Sequence, residues 1–351
     1  MNRTFRVFSL VAFVGLAGAV AFSQQQTPPP PPNTSAAPAG QQATPIITRV
    51  SEVDMILSVV NHRQKFIIDL EQSDFRVLED NHEQKIQFFS RQTNLPLRLG
   101  LLMDTSNSIR PRLQFEKDAA TEFLANTIKV NRDMGFLMTF DSTPEIAQNF
   151  TSDVEVLRTT VNSQHAGGGT ALYDAVLKAS DMLANAPVPK NGAPEVRRVL
   201  VVISDGEDNL SSHLRTEAIE AAIRSGVFIY TISTSTQWIT PEESNDPKQK
   251  FDRKWGKTDG DQILQKFADE TGGRAFFPFH VDDVAQDFQD ISAELRSQYL
   301  LGYIPANGLV DGKFRKIKVE VPGHKELEIR TRKGYYAVEK PTPGVMGPTG
   351  N

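Results

Sequence analysis

Leu97-Arg98-Leu99-Gly100-Leu101-Leu102-Met103 is a nearly unbroken apolar run that stops at Asp104-Thr105-Ser106-Asn107-Ser108. A half-exposed strand would alternate apolar with polar, so this run reads as a strand covered on both faces. The same pattern recurs at Met134–Phe140, Val199–Ile203 and Val227–Ile232, with a short strand at Ala275–Phe277. Helical periodicity fills the intervals. Leu113–Ile128 puts Ala120, Phe123, Leu124 and Ile128 on one face, and Ala171–Leu183 turns Leu172, Ala175, Val176, Ala179, Met182 and Leu183 inward. His213–Ser225, Asp261–Glu270 and Asp282–Arg296 are further helices. Buried strands alternating with amphipathic helices predict an α/β domain over residues 96–298: a doubly wound, mostly parallel, Rossmann-like sheet.

The flanks read differently. In Ile46–Val60 the apolar residues Val53, Met55, Leu57 and Val59 fall at period two, and Phe75–Leu78 and Ile86–Phe89 are short strands about Asp80-Asn81-His82. Residues 45–95 therefore form a small β module. Strand patterns return after Tyr299, at Tyr299–Ile304, Phe314–Val321 and Leu327–Arg330, with Asn307-Gly308 and Asp311-Gly312 as turns. Residues 299–338 are too few to bury a core of their own, so they are expected to pack with 45–95.

The remaining segments are not expected to fold. Residues 1–23 carry Arg3 and Arg6, no acid, and an apolar stretch from Val7 to Phe22, the pattern of a secretory signal peptide. An uncleaved membrane anchor is the alternative, although the stretch is short against the ~20 residues a bilayer needs. Pro28 to Pro32 lie in a polar linker, 24–44, that should be a disordered tether with a stiff polyproline centre. The tail, 339–351, is Pro/Gly-rich and expected to be disordered. These features place the protein outside the cytoplasm, in a periplasm or on or beyond the cell surface.

Composition narrows the chemistry. The 351 residues include no cysteine, which removes disulfides, thiolate metal sites and thiol nucleophiles. With 38 basic and 43 acidic residues, the net charge of -5 offers no basic excess for nucleic acid. The histidines show no metal-ligand spacing, and neither a P-loop, a dinucleotide fingerprint nor a Gly-x-Ser-x-Gly elbow is present.

Polar groups cluster where such a sheet binds ligands, beyond the carboxyl ends of its strands. The first strand runs into Asp104, Ser106 and Ser108; Gly167-Gly168-Gly169 precede Thr170 at a helix start; Val199–Ile203 runs into Ser204-Asp205-Gly206. Two carboxylates and three hydroxyls on three converging loops are hard oxygen donors, suited to Mg²⁺. A blander reading makes the hydroxyls helix caps and the aspartates turn residues.

This arrangement resembles the von Willebrand factor A domain with its metal-ion-dependent adhesion site. The resemblance runs over residues 96–298 and takes in the three loops in order. It extends to an exported bacterial variety through Phe75-Arg76-Val77-Leu78-Glu79-Asp80 with Gln84, Gln298-Tyr299-Leu300-Leu301-Gly302-Tyr303 and Arg332-Lys333-Gly334-Tyr335-Tyr336. It implies Mg²⁺ (Mn²⁺ or Ca²⁺ as alternatives) on Ser106, Ser108 and Thr170, with Asp104 and Asp205 acting mainly through water. An Asp or Glu carboxylate of a partner protein would complete the coordination. The activity implied is binding, without catalysis. The alternatives are a metal-dependent hydrolase or phosphatase, or an envelope component whose metal only stabilises it. Asn107 stands where the family often has glycine. Arg110 and Arg112 follow the motif and suit an acidic partner or plain solvation. Asp174 is expected to support the site or the helix dipole from behind. Trp238 and Trp255, in the long loop 233–260, are candidate partner contacts.

Overall fold

Alternation at Val53, Met55, Leu57 and Val59 becomes strand β1 (Val53–Val60), which buries those four side chains in an apolar core. The computed structural model describes residues 52–91, 95–189, 196–234, 258–278 and 281–338. The expected signal peptide (1–23), tether (24–44) and tail (339–351), like Trp238 and Trp255, lie outside the described residues. Three short strands follow β1: β2 (Arg76–Glu79), β3 (His82–Gln84) and β4 (Ile86–Arg91). Asp80 and Asn81 turn the chain between β2 and β3 at φ of 47° and 68°, a left-handed conformation that Asn and Asp adopt more readily than most residues.

The α/β unit begins with β5 (Leu97–Asp104), buried along its whole length. It continues through α1 (Leu113–Thr127), β6 (Met134–Phe140), β7 (Pro144–Thr151), α2 (Val154–Asn162), α3 (Leu172–Ala184) and β8 (Arg197–Ser204). Then come α4 (Arg215–Arg224), β9 (Val227–Ser233), α5 (Asp259–Thr271), β10 (Ala275–Phe276) and α6 (Val281–Arg296). The sheet order is β10-β9-β8-β5-β6-β7, parallel except for β7.

The sheet is doubly wound, as expected. Alternate residues of each strand serve opposite faces. Leu99, Leu101 and Met103 of β5 pack with Val199 and Val201 of β8 against Phe123 of α1 and Phe288 and Ile291 of α6. Leu102, with Leu200 and Val202, packs against Ala175 and Val176 of α3, Ala222 of α4 and Phe267 of α5. Within the α/β unit, β7 and α2 are the elements the sequence pattern did not announce. β7 is a half-exposed edge strand (PEIAQNFT) with neither a continuous apolar run nor clean alternation. α2 has only nine residues, of which Leu157 and Val161 are buried, and its start is set by Asp153, whose carboxylate accepts from the amides of Glu155 (2.9 Å) and Val156 (3.3 Å).

The chain leaves α6 directly into β11 (Tyr299–Tyr303), then β12 (Phe314–Glu320), β13 (Glu328–Arg330) and β14 (Gly334–Tyr336). These interleave with the N-terminal strands in two four-stranded antiparallel sheets, β13-β1-β11-β4 and β14-β12-β2-β3. Val53 pairs with Tyr303 and Val77 with Val319, so both chain flanks build one core, as expected. A buried carboxylate fastens each layer. Glu79 accepts from the hydroxyls of Tyr303 (2.7 Å) and Tyr335 (3.0 Å). Glu294, fully buried on α6, accepts from Ser58 Oγ (2.7 Å) of β1 and pairs with Arg330 (3.4 Å) of β13. Among the described residues no helix is long and apolar enough to cross a membrane.

Glu294 joins the last helix of the α/β unit to the β module. Removing one partner of a buried pair leaves an uncompensated charge, so Arg330→Met should lower the unfolding free energy by about 3 kcal/mol in urea denaturation. A loss below about 1 kcal/mol, the worth of an exposed pair, would show that the contact carries no such strain.

Candidate functional site

The site grows out of the pairing of β5 with β8. These neighbours run parallel with Met103 opposite Ile203, so Asp104 and Ser204 leave the sheet side by side. The helix after β5 covers one face of the sheet and the helix after β8 the other. The two strands therefore flank the switch point, where an open α/β sheet leaves a crevice.

Hydrogen bonds join the three loops there. Ser204 Oγ donates to Asp104 Oδ2 (2.8 Å), and the amide of Ser106 donates to Asp104 Oδ1 (2.8 Å). Ser108 Oγ donates to Asp205 Oδ2 (2.8 Å), and the hydroxyls of Ser106 and Ser108 lie 3.0 Å apart. The glycine loop is held by backbone. Gly167 N donates to Thr105 O (2.7 Å) and Asn107 N to Gly168 O (3.3 Å). The amides of Asn209 and Leu210 both reach Thr170 O at 3.0 Å, and Thr170 N donates to Asn209 Oδ1 (2.9 Å). Thr170 is buried, and its hydroxyl makes no hydrogen bond among the described residues. So Asp104, Ser106, Ser108 and Asp205 form one hydrogen-bonded constellation, with Thr170 on the third strut of the same loop cluster.

Glycine is needed at the turn after Asp205. Gly206 has φ +79°, and a Cβ there would lie 2.2 Å from the carbonyl oxygen of Gly260 in the first turn of α5. Only a residue without a side chain lets Asp205 turn so close to that helix.

The electrostatics are acidic and partly buried. Asp104 is fully buried; burial, and secondarily the charge of Asp205, push its carboxyl up to about 6 against the hydrogen bonds from Ser106 and Ser204. Glu116, in the first turn of α1, is a residue that motif reading missed. It is 2% exposed and neither carboxylate oxygen has a partner. Burial and the charge of Asp104, with a smaller push from Asp205, raise its carboxyl to about 8 despite the nearby Arg112. The signal was available: position 116 shares the helical face of Ala120, Phe123 and Leu124, where an acid is out of place.

Asp174 does not reach the constellation. It accepts from the amides of Ser212 and His213 (both 3.0 Å) and from His213 Nδ1 (2.8 Å), which fixes the loop beyond Asp205. Among the described residues no group of three or more His, Cys, Asp or Glu side chains gathers as a metal cage. Three of the donors proposed by sequence are hydroxyls, a type outside that set. The unpartnered buried oxygens of Glu116 and the free hydroxyl of Thr170 fit a site with unspent oxygen lone pairs, which is what a hard cation uses.

The family model of the von Willebrand factor type A domain matches residues 99–207, a stretch that contains all three loops and less than a third of the chain. Those residues are thus similar to a domain of this type. No curated protein matches it. Similar solved structures include an aerotolerance-related membrane protein from Bacteroides fragilis, 23% identical over 57% of this chain and 98% of that one, with a TM-score of 0.42. The conserved hypothetical protein BatB from Bacteroides thetaiotaomicron is 19% identical over 56% of this chain and 99% of its own, TM-score 0.40. A von Willebrand factor type A protein from Catenulispora acidiphila is 12% identical over 84% and 75%, TM-score 0.45.

Glu116 supplies a test of the site's electrostatics. Its folded-state value of about 8 lies above the ordinary 4.5, so the folded protein holds a proton that the unfolded chain releases. That stability is fully present below about pH 4.5 and is lost as pH rises through about 8. In EDTA, the melting temperature should fall across this window, and Glu116→Gln should flatten the fall, leaving the smaller Asp104 slope at lower pH. An identical pH profile in the variant would refute the assignment.

Proposed function

We propose that the protein is an exported, divalent-cation-dependent protein-binding module. Mg²⁺ would be held by Ser106, Ser108 and Thr170, with Asp104 and Asp205 contributing directly or through water. Mn²⁺ or Ca²⁺ are alternative ions. The partner is a protein that offers an Asp or Glu carboxylate to the ion. Export rests on the basic start and apolar stretch of residues 1–23.

One observation carries the reading: hydroxyl and carboxylate oxygens from loops far apart in sequence are brought to one point at the sheet's switch point. Ser108 bonding to Asp205 across 97 positions is its clearest mark. Capping chemistry alone has no reason to link them. Ser106, at the start of the short 3-10 turn Asn107–Ile109, makes no side-chain capping bond. The donor set suits an ion that must stay electrophilic. Neutral hydroxyls leave more positive charge on a cation than a full carboxylate cage would, and that charge attracts an outside carboxylate. When bound, the ion supplies that attraction; the residues of the chain position it and keep one side accessible through exposed Ser108.

Mg²⁺ at about 100 times its dissociation constant should stabilise the fold by about 2.7 kcal/mol, seen as a rise in melting temperature. Asp104→Asn, which keeps the side chain's shape, should remove that rise together with Mg²⁺-dependent capture of partner protein from envelope extract. Capture that persists in both EDTA and the variant would sink the ion-dependent mechanism.

A further inference from the structure

Arg110 is an exposed side chain beside the site, yet it does not swing freely. Its Nη2 donates to Asn107 Oδ1 (3.1 Å) in the first site loop and to Ala166 O (3.3 Å) at the start of the glycine loop. Both acceptors are neutral. Among the described residues no carboxylate comes within ion-pair distance of Arg110. Among the described residues the N–H groups of Nε and Nη1 have no protein acceptor and the charge has no partner. Other exposed arginines differ: Arg76, Arg91 and Arg158 each pair with a glutamate.

A guanidinium pinned by neutral acceptors is a pre-organised anion receptor. Its position is fixed before a ligand arrives, so less side-chain entropy is lost on binding, and its planar fork matches a carboxylate. It borders the crevice where Ser106, Ser108 and Asp205 meet, because the loop it ties through Asn107 is the loop that carries both serines. A ligand that seats one carboxylate at that crevice covers Arg110 and strips water from its free N–H groups. Those groups then need an acceptor, and an anionic one also pairs the covered charge.

We propose that Arg110 is a second anion-binding group of the site, and that the partner segment it selects carries two acidic side chains, one for the cation and one for Arg110. This rests on the cation-dependent reading above. It adds a specificity determinant: a partner with a single acid would leave the guanidinium buried and unpaired, which disfavours it against a di-acidic one.

The test uses the full mature chain in Mg²⁺ and blocked synthetic peptides. One peptide carries a lone Asp in glycine; the others carry Asp and Glu separated by none, one, two or three glycines. Binding is read by calorimetric competition, and Mg²⁺ uptake by the wild type is titrated separately. At least one di-acidic spacing should bind about fivefold or more tightly than the lone Asp peptide, the ratio that about 1 kcal/mol of ion pairing gives. Arg110→Gln should bring that ratio to about one, and Arg110→Lys, which keeps charge but not the fork, should restore part of it. Equal binding of all peptides, or a preference that survives Arg110→Gln, overturns the proposal. So does Mg²⁺ uptake with no peptide bound. Absence of Mg²⁺ uptake overturns the underlying cation reading as well, which separates the two failures.

Discussion

β5 and β8 run parallel and in register from Leu97 opposite Arg197 to Met103 opposite Ile203. They end together at Asp104 and Ser204, joined by a 2.8 Å hydrogen bond. The site depends on this pairing. A slip of one residue would exchange the two faces of β5, moving Leu99, Leu101 and Met103 from one helical layer to the other, and would separate Asp104 from Ser204. The packing that specifies register therefore also specifies the site.

Acidity at that point conflicts with burial. Asp104 and Glu116 are both withdrawn from water, and each is pushed toward its neutral form by burial and by the other acids nearby. Hydrogen bonds from Ser106 and Ser204 ease the cost for Asp104; Glu116 has none. A fold built for stability alone has little reason to keep an acid among the apolar residues of α1. A site that receives a cation does, because the incoming positive charge would draw such carboxyls back to their ionised form. Arg110, anchored to neutral oxygens at the rim, keeps its positive charge unspent.

Much of this was legible in the sequence. The continuous apolar runs of β5, β8 and β9 announced strands buried on both faces, and the abrupt stops at Asp104 and at Ser204-Asp205 marked the strand ends at the switch point. The β module was legible from period-two alternation at Val53–Val59. β7 escaped because an edge strand with one face in solvent needs no apolar pattern, and α2 because nine residues with two buried side chains show almost no periodicity. Glu116 escaped because it lies in a helix and belongs to no loop motif; only the helix face it shares with Ala120 and Phe123 reveals it. Asp174 sits near the right loop in sequence, but which neighbour a carboxylate chooses depends on a loop geometry that residue order does not convey. It serves the loop of Ser212 and His213.

In the proposed function the hydroxyls of Ser106, Ser108 and Thr170 enclose a divalent cation. Anomalous diffraction at the manganese edge, from crystals of the protein grown in Mn²⁺, locates such an ion directly. The expected result is an anomalous peak bounded by those three hydroxyls, with the Ser108–Asp205 hydrogen bond rearranged. Well-ordered loops in Mn²⁺ with that hydrogen bond intact and no peak between them would contradict it.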